Sequence, residues 1–297
     1  VSEKDFLARR FEEHRPHLRA VAYRMLGSLG EAEDAVQEAW FKLNRSDVSG
    51  VANLGGWLTT VTGRVCLDML RSRATRREEP LEDAEGRVRL PDPILSGPDG
   101  LDPEQEILLA DSVGLALMIV LQTLGPAERL AFVLHDMFAV PFDEIAPVLG
   151  RTPASTRQLA SRARRRVQDG APAPDTDPAE RRTVVDAFLA AARGGDFEAL
   201  VAVLDPGIVA RSDGGSLLPN ALRRGAAEVA SQAITFARFA EAARPVLVNG
   251  TPGVVALAQG RVMSVMSFTI QDGRVTALDI LTDPERLAGI DVEALGV

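Results

Sequence analysis

The stretch RTPASTRQLASRARRRV at 151–167 places five arginines between Arg157 and Arg166 with no acid among them. Guanidinium groups are rigid forks of hydrogen-bond donors that match paired acceptors such as a guanine edge, or a phosphate. Gln158 adds a donor and an acceptor of the kind that suits adenine. This set can recognise a polyanion but cannot make or break bonds. The whole chain carries a formal charge of −9 and a pI near 5.0, so the positive charge is concentrated locally. Residues 1–170 hold 22 basic and 26 acidic side chains and residues 171–297 hold 11 and 16, so neither part is a basic domain. Any nucleic-acid binding must rest on local patches.

A second basic patch runs through Arg64, Arg71, Arg73, Arg76 and Arg77, with Asp68 the only acid between them. Trp57, shortly before it, could stack on a base or fill a core. Upstream, Asp34, Gln37 and Glu38 are spaced i, i+3, i+4 and share a helix face, which suits either a docking surface or solvent. Asp213 and Asp279 are the candidate bases of the C-terminal part. Residues 171–297 contain no His, Tyr, Cys, Trp or Lys, so the oxyanion donor that proton abstraction needs is missing and catalysis is not expected. His14 and His17 could share a helix face but have no third ligand nearby, and the one cysteine, Cys66, lies in an apolar run. No metal or cofactor is expected. The lone cysteine, the lack of a long apolar run and an N-terminus unlike a signal peptide together point to a cytoplasmic protein with no membrane association.

These residues need elements to position them. Apolar side chains at Leu18, Val21, Ala22, Met25 and Leu26 form the stripe of an amphipathic helix, and further helices are expected at 31–43 and 57–73. The segment 78–106 reads as too polar and proline-rich for a core. Helices follow at 107–123 and 126–138, and QDGAPAPDTDPAE (168–180) reads as an interdomain linker. Beyond it, helices at 181–193, 196–204 and 225–239 accompany β-rich runs at 244–249, 253–259, 261–270 and 274–281. Asp272-Gly273 marks a tight hairpin turn. The expected fold is therefore two all-α domains followed by an α+β cone with a curved sheet.

FDEIAPVLGRTPASTRQLASRARRRV has the pattern of a helix-turn-helix. Phe142–Leu149 forms the first helix, Gly150 permits a left-handed turn, Thr152 caps the second helix and Pro153 takes its first position. Thr156, Ala160, Ala163 and Val167 face inward, which leaves Arg157, Gln158, Ser161, Arg162 and Arg165 facing outward. The motif alone does not separate a repressor from an initiation factor.

The residues LGSLGEAEDAVQEAWFKL (26–43), with Asp34-Ala35-Val36-Gln37-Glu38 at their centre, resemble region 2 of the extracytoplasmic-function sigma factors of bacterial RNA polymerase. GGWLTTVTGRVCLDMLRSR resembles the helix that follows, and 104–168 resembles region 4. The resemblance implies that Asp34, Gln37, Glu38 and Phe41 dock on the β′ coiled coil of core polymerase. Trp57, Arg64, Arg71, Arg73 and Arg76 would meet the −10 promoter element. Ser155, Arg157, Gln158, Ser161, Arg162 and Arg165 would meet the −35 element, with region 4 against the β flap. Arg64 stands where many relatives carry asparagine.

The C-terminal part resembles the SnoaL-like, nuclear-transport-factor-like cone domain fused to one sigma subgroup. Asp213-Gly214-Gly215, Arg89-Leu90-Pro91-Asp92-Pro93 and Asp283-Pro284-Glu285-Arg286-Leu287 stand where that subgroup carries D-G-G-G-K, W-L-P-E-P and N-P-D-K-L motifs. The resemblance implies regulatory contacts at Pro91, Asp92, Pro93, Asp213, Gly214, Gly215, Asp283 and Pro284. Read alone, the glycine loop is a polar turn. Phe188, Phe197, Phe236, Phe239, Met263, Met266 and Phe268 would form the core or line a pocket for a small-molecule ligand. The expected organisation is region 2 at 5–77, a linker at 78–103, region 4 at 104–168, a linker at 169–180 and the cone at 181–290. The expected function is an alternative sigma factor modulated by its last domain. Two other readings remain open: a one-component regulator with a ligand-sensing cone, and an enzyme of the cyclase or isomerase type.

Overall fold

A computed structural model describes residues 3–48, 50–76, 89–97, 114–170, 177–217, 220–235, 237, 242–292 and 295. They fall into two compact units. One contains the described residues up to 76 and those of 117–170; the other contains 89–97, 114–116 and everything from 177 onward.

The first unit is helical. Its opening helices are α1 (Glu3–Leu26), α2 (Leu29–Arg45) and α3 (Leu54–Arg76). The apolar stripe of α1 is buried from Leu18 to Leu26, and α2 buries Ala32, Ala35, Val36, Ala39 and Leu43. Four small side chains on that α2 face let the helices approach closely. Cys66 of α3 is fully buried, and burial pushes its thiol pKa up. After α4 (Leu115–Thr123) comes α5 (Pro126–Phe132), which continues into a π-helical turn at Val133–Met137. The helix expected at 126–138 thus widens into an underwound π-helical turn in its second half, and the chain leaves it through Ala139 at φ 54°. Then come α6 (Phe142–Leu149) and α7 (Pro153–Gly170). Residues 107–113 of the helix expected at 107–123 lie outside the described residues.

The second unit is the expected α+β cone. Helices α8 (Pro178–Gly194), α9 (Phe197–Val203) and α10 (Ala226–Thr235) accompany a seven-stranded sheet. Its strands are β1 (Leu95–Ser96), β2 (Leu204–Asp213), β3 (Ala221–Arg224), β4 (Ala243–Val248), β5 (Thr251–Ala258), β6 (Arg261–Gln271) and β7 (Arg274–Leu281), in the order β1-β4-β5-β6-β7-β2-β3. All pairs are antiparallel except β2 with β7. The hairpins β4–β5, β5–β6 and β6–β7 turn at Asn249-Gly250, Gln259-Gly260 and Asp272-Gly273, each with positive φ at both residues, as a type I′ turn requires. Phe188, Leu200, Ile208, Phe268, Ile270 and Leu278 form the core on one face of the sheet. Phe236 and Phe239 lie outside the described residues. Among the described residues no helix is long and apolar enough to cross a membrane.

The segment 78–106 departs from expectation. Its residues Leu90, Pro91, Ile94 and Leu95 are buried, and Leu95-Ser96 adds a strand to the edge of β4. The Ile94 N–H donates to the Asn249 side-chain oxygen at 3.0 Å, and the Asn249 N–H donates back to the Ile94 carbonyl at 2.8 Å. The few apolar side chains in LPDPIL suffice because the cone supplies the rest of the core and an unpaired edge.

Candidate nucleic-acid interface

The helix-turn-helix forms as its local signals dictate. α6 ends at Gly150 in the left-handed conformation (φ 63°), where a side chain would be strained. The Thr152 hydroxyl accepts from the Ser155 N–H at 3.2 Å, and Pro153 opens α7. Thr156, Leu159, Ala160 and Ala163 are buried, while Val167 is half-buried. Arg157, Gln158, Arg162 and Arg165 are exposed; Ser155 and Ser161 are half-buried. The Arg157 guanidinium lies over the Phe142 ring, 5.3 Å from its centroid, and His135 stacks on that ring at 3.7 Å.

Carboxylates that the sequence did not single out flank α7. Arg166 reaches Glu128 at 3.0 Å, Arg162 lies 3.5 Å from the same carboxylate, and Arg164 donates to Asp136 at 2.8 Å. These partners are 28 to 38 residues away in the chain, so no periodicity could reveal them.

On α2, Asp34, Gln37, Glu38 and Phe41 all face outward, opposite the buried alanines. Phe41 is 50% exposed, unusual for an aromatic side chain with nothing to serve. Glu38 pairs loosely with Lys42 at 3.4 Å. On α3, Arg64 and Arg71 are exposed and Trp57 is half-buried. Arg73 is half-buried and paired with Glu31 of α2, so it braces the two helices. The Arg76 side chain lies outside the described residues. A groove between α2 and α3, lined by Glu38, Lys42, Asp68 and Arg73, joins the acidic face to the basic one.

The two helical regions meet within this unit. The Arg129 side chain of α5 donates to the Met25 carbonyl at the end of α1, at 2.8 Å. Burial, aided by nearby Arg73, lowers the Arg129 pKa to about 10. The Arg24 guanidinium lies 4.7 Å from the Phe138 ring centroid, and His17 meets that ring edge-on at 5.1 Å. His17 also lies 3.1 Å from the Thr59 hydroxyl. Burial first, then the charges of His14 and Arg24, lower the His17 pKa. Gly63 of α3 fits against Leu130 and Leu134, where a Cβ would come within 3.1 and 3.0 Å.

In the second unit, the expected regulatory residues converge on one face of the sheet. Alternation along β2 and β7 puts Arg211, Asp213 and Asp279 opposite the core face. Asp213 is buried and accepts from the Leu90 N–H at 2.8 Å and from Arg286 at 2.7 Å. Arg286, in the short helix α11 (Pro284–Leu287), also holds Asp92 at 2.6 Å and the Leu90 carbonyl at 2.9 Å. The loop glycine Gly215 has φ 65°, and a Cβ there would lie 2.4 Å from the Asp283 carboxylate. Asp283 in turn caps α11 through the Glu285 N–H at 3.0 Å. Asp279 is paired with Arg211 at 3.0 Å; burial raises its pKa and the arginine opposes that rise. Among the described residues no cluster of three or more metal-ligating side chains occurs.

The chain matches the Sigma-70 region 2 family over residues 10–76 and the Sigma-70 region 4 family over 115–167. It is 36% identical over 305 residues to the probable ECF RNA polymerase sigma factor SigI of Mycobacterium tuberculosis, covering 100% of both chains. It is 39% identical to SigJ of the same organism, covering 94% of this chain and 92% of that one. The crystal structure of SigJ superposes with a TM-score of 0.75 at 36% identity, covering 95% of this chain and 98% of that one. With both helical regions present in order and the likeness extending through the C-terminal cone, the chain belongs to the extracytoplasmic-function sigma factors, which bring RNA polymerase to promoter DNA.

Proposed function

We propose that α2 docks on core polymerase through Asp34, Gln37, Glu38 and Phe41, that α3 meets the −10 element through Trp57, Arg64 and Arg71, and that α7 reads the −35 element. The cone domain then sets how far apart the two readers can work. The observation that carries this reading is the strand addition at Leu95-Ser96 together with the Arg286 clamp on Asp92, Asp213 and the Leu90 carbonyl. Residues 89–97, which lie between α3 and α4 in the chain, are thereby anchored on the cone, which gives the cone leverage on reader separation without touching DNA.

The elements themselves, centred at −10 and −35, are about 25 base pairs or about 85 Å apart on B-form DNA. α3 and α5 touch at Gly63, and even the 24-residue α1 spans only about 36 Å. Simultaneous reading therefore requires the helical unit to open at the Arg129, Arg24 and His17 contacts. Polymerase, which grips both regions, supplies the free energy for that opening.

Turnover by the cone is not part of this proposal, because Asp213 and Asp279 are already engaged by arginines. Of the apolar residues expected as core or pocket lining, Phe188 and Phe268 are core and Met266 packs against it, while Phe197 and Met263 are exposed; a small-molecule ligand is not part of this proposal. The test of the docking face is Glu38→Lys, which reverses an exposed charge. It should abolish co-elution with core polymerase and leave the circular dichroism spectrum and melting temperature unchanged. Retained co-elution would remove Glu38 from the docking face.

A further inference from the structure

The pairing of the α7 arginines is asymmetric in a way that bears on specificity. At 100° per residue, Gln158, Arg162 and Arg165 lie on the side of α7 away from its buried stripe, while Arg164 and Arg166 stand on its two shoulders. A helix inserted in a major groove points its outer side at base edges and its shoulders at the two phosphate strands. Glu128 and Asp136 sit at those shoulders, on α5 and on the π-helical turn. The carboxylates are held in (side chains 20% and 16% exposed), whereas Arg162, Arg164 and Arg166 reach out at 63%, 44% and 55%. The arginines can therefore swing to another anion while the carboxylates stay fixed. Arg165 has no carboxylate partner among the described residues.

We infer that Glu128 and Asp136 are specificity-determining residues that act through the arginines, as built-in competitors for the phosphates of DNA. The inference rests on the reading of α7 as the −35 helix. Exposed ion pairs are individually weak, so duplex DNA can displace them. Each displaced carboxylate then takes up a cation, which offsets part of the counterion release that drives sequence-independent binding. Base-edge contacts from Gln158 and Arg165 involve no such exchange. The acids thus lower affinity for any duplex more than they lower discrimination among duplexes, and promoter search is less trapped on random DNA.

The test is binding of the full chain to a mixed-sequence duplex of about 30 base pairs, followed by anisotropy from about 50 to 200 mM salt. Glu128→Gln with Asp136→Asn should bind about tenfold tighter at the low-salt end, with the slope of log K against log salt steeper by about 1 to 2. Glu128→Asp keeps the charge and should leave the slope unchanged. An unchanged slope or weaker binding in the neutralised variant overturns the inference. Should that variant fold poorly, Arg166→Ala is the second measurement. It should change the slope less than Arg165→Ala, because its charge is already matched; equal losses overturn the inference. If removing Arg157, Arg162 and Arg165 together leaves binding of the duplex as in the parent, α7 is not the reader, and the failure lies in the underlying reading instead.

Discussion

The molecule uses arginine–carboxylate pairs in two settings, and their difference lies in burial. Around α7 the pairs to Glu128 and Asp136 are open to solvent on the arginine side. In the cone, Asp213 and Asp279 are almost fully buried, and the Arg286 and Arg211 side chains are only 18% and 22% exposed. The chemistry is the same, but an exposed pair is worth about 0–1 kcal/mol, whereas breaking a buried one costs about 3–5 kcal/mol through the charge left behind. The first kind is suited to exchange and the second to fixation. A reader of DNA needs arginines that can change partners; a tether needs one that cannot.

The largest break in that comparison is Arg211→Met. It leaves the Asp279 carboxylate buried without its cation, and the cone should lose about 3 kcal/mol in urea denaturation. Asp279→Asn, combined with it, should recover part of the loss; no loss in the single variant would mean that the pair is not a fixed element. Next comes Arg286→Ala, which removes the donors to Asp92, Asp213 and the Leu90 carbonyl together. Limited proteolysis should then cut near 89–97 while the parent chain resists cleavage there; equal resistance would show that the β1 pairing alone holds the segment.

A smaller effect concerns the joint between the two helical regions. His17 has its pKa lowered from 6.5 by burial. Its neutral form therefore packs against Phe138, and this contribution to stability is present above about pH 6.5. Stability is lost as the pH falls from that value through the folded pKa, because the unfolded chain takes up the proton first. The melting temperature of the parent should fall more between pH 7 and 5 than that of His17→Gln. Identical profiles would remove His17 as the acid-sensitive element of the joint.

The parts legible in the sequence were those set by neighbours in the chain. The α1 stripe, the Gly150–Thr152–Pro153 signal and the Asp272-Gly273 turn each place their own element, and the structure follows them. The outward side of α7 and the exposed face of α2 follow from the same periodicity. What escaped depends on partners far along the chain. The Arg73–Glu31 pair joins two helices, so periodicity within α3 could not show it. β2 contains Asp205-Pro206-Gly207 and so lacks a continuous alternation, yet it pairs in parallel with β7. The burial of LPDPIL is set by a sheet edge and by Arg286, 194 residues from Asp92.

The central claim is that the Arg286 clamp lets the cone fix the working distance between the −10 and −35 readers. It is tested most directly by transcription in vitro with core polymerase on one promoter whose spacer is shortened and lengthened by about one and two base pairs. The parent chain should initiate in a narrow optimum of spacer length. Arg286→Ala, with core affinity unchanged, should flatten that optimum by relaxing the tether. A spacer profile for Arg286→Ala that superimposes on the parent's would contradict the account.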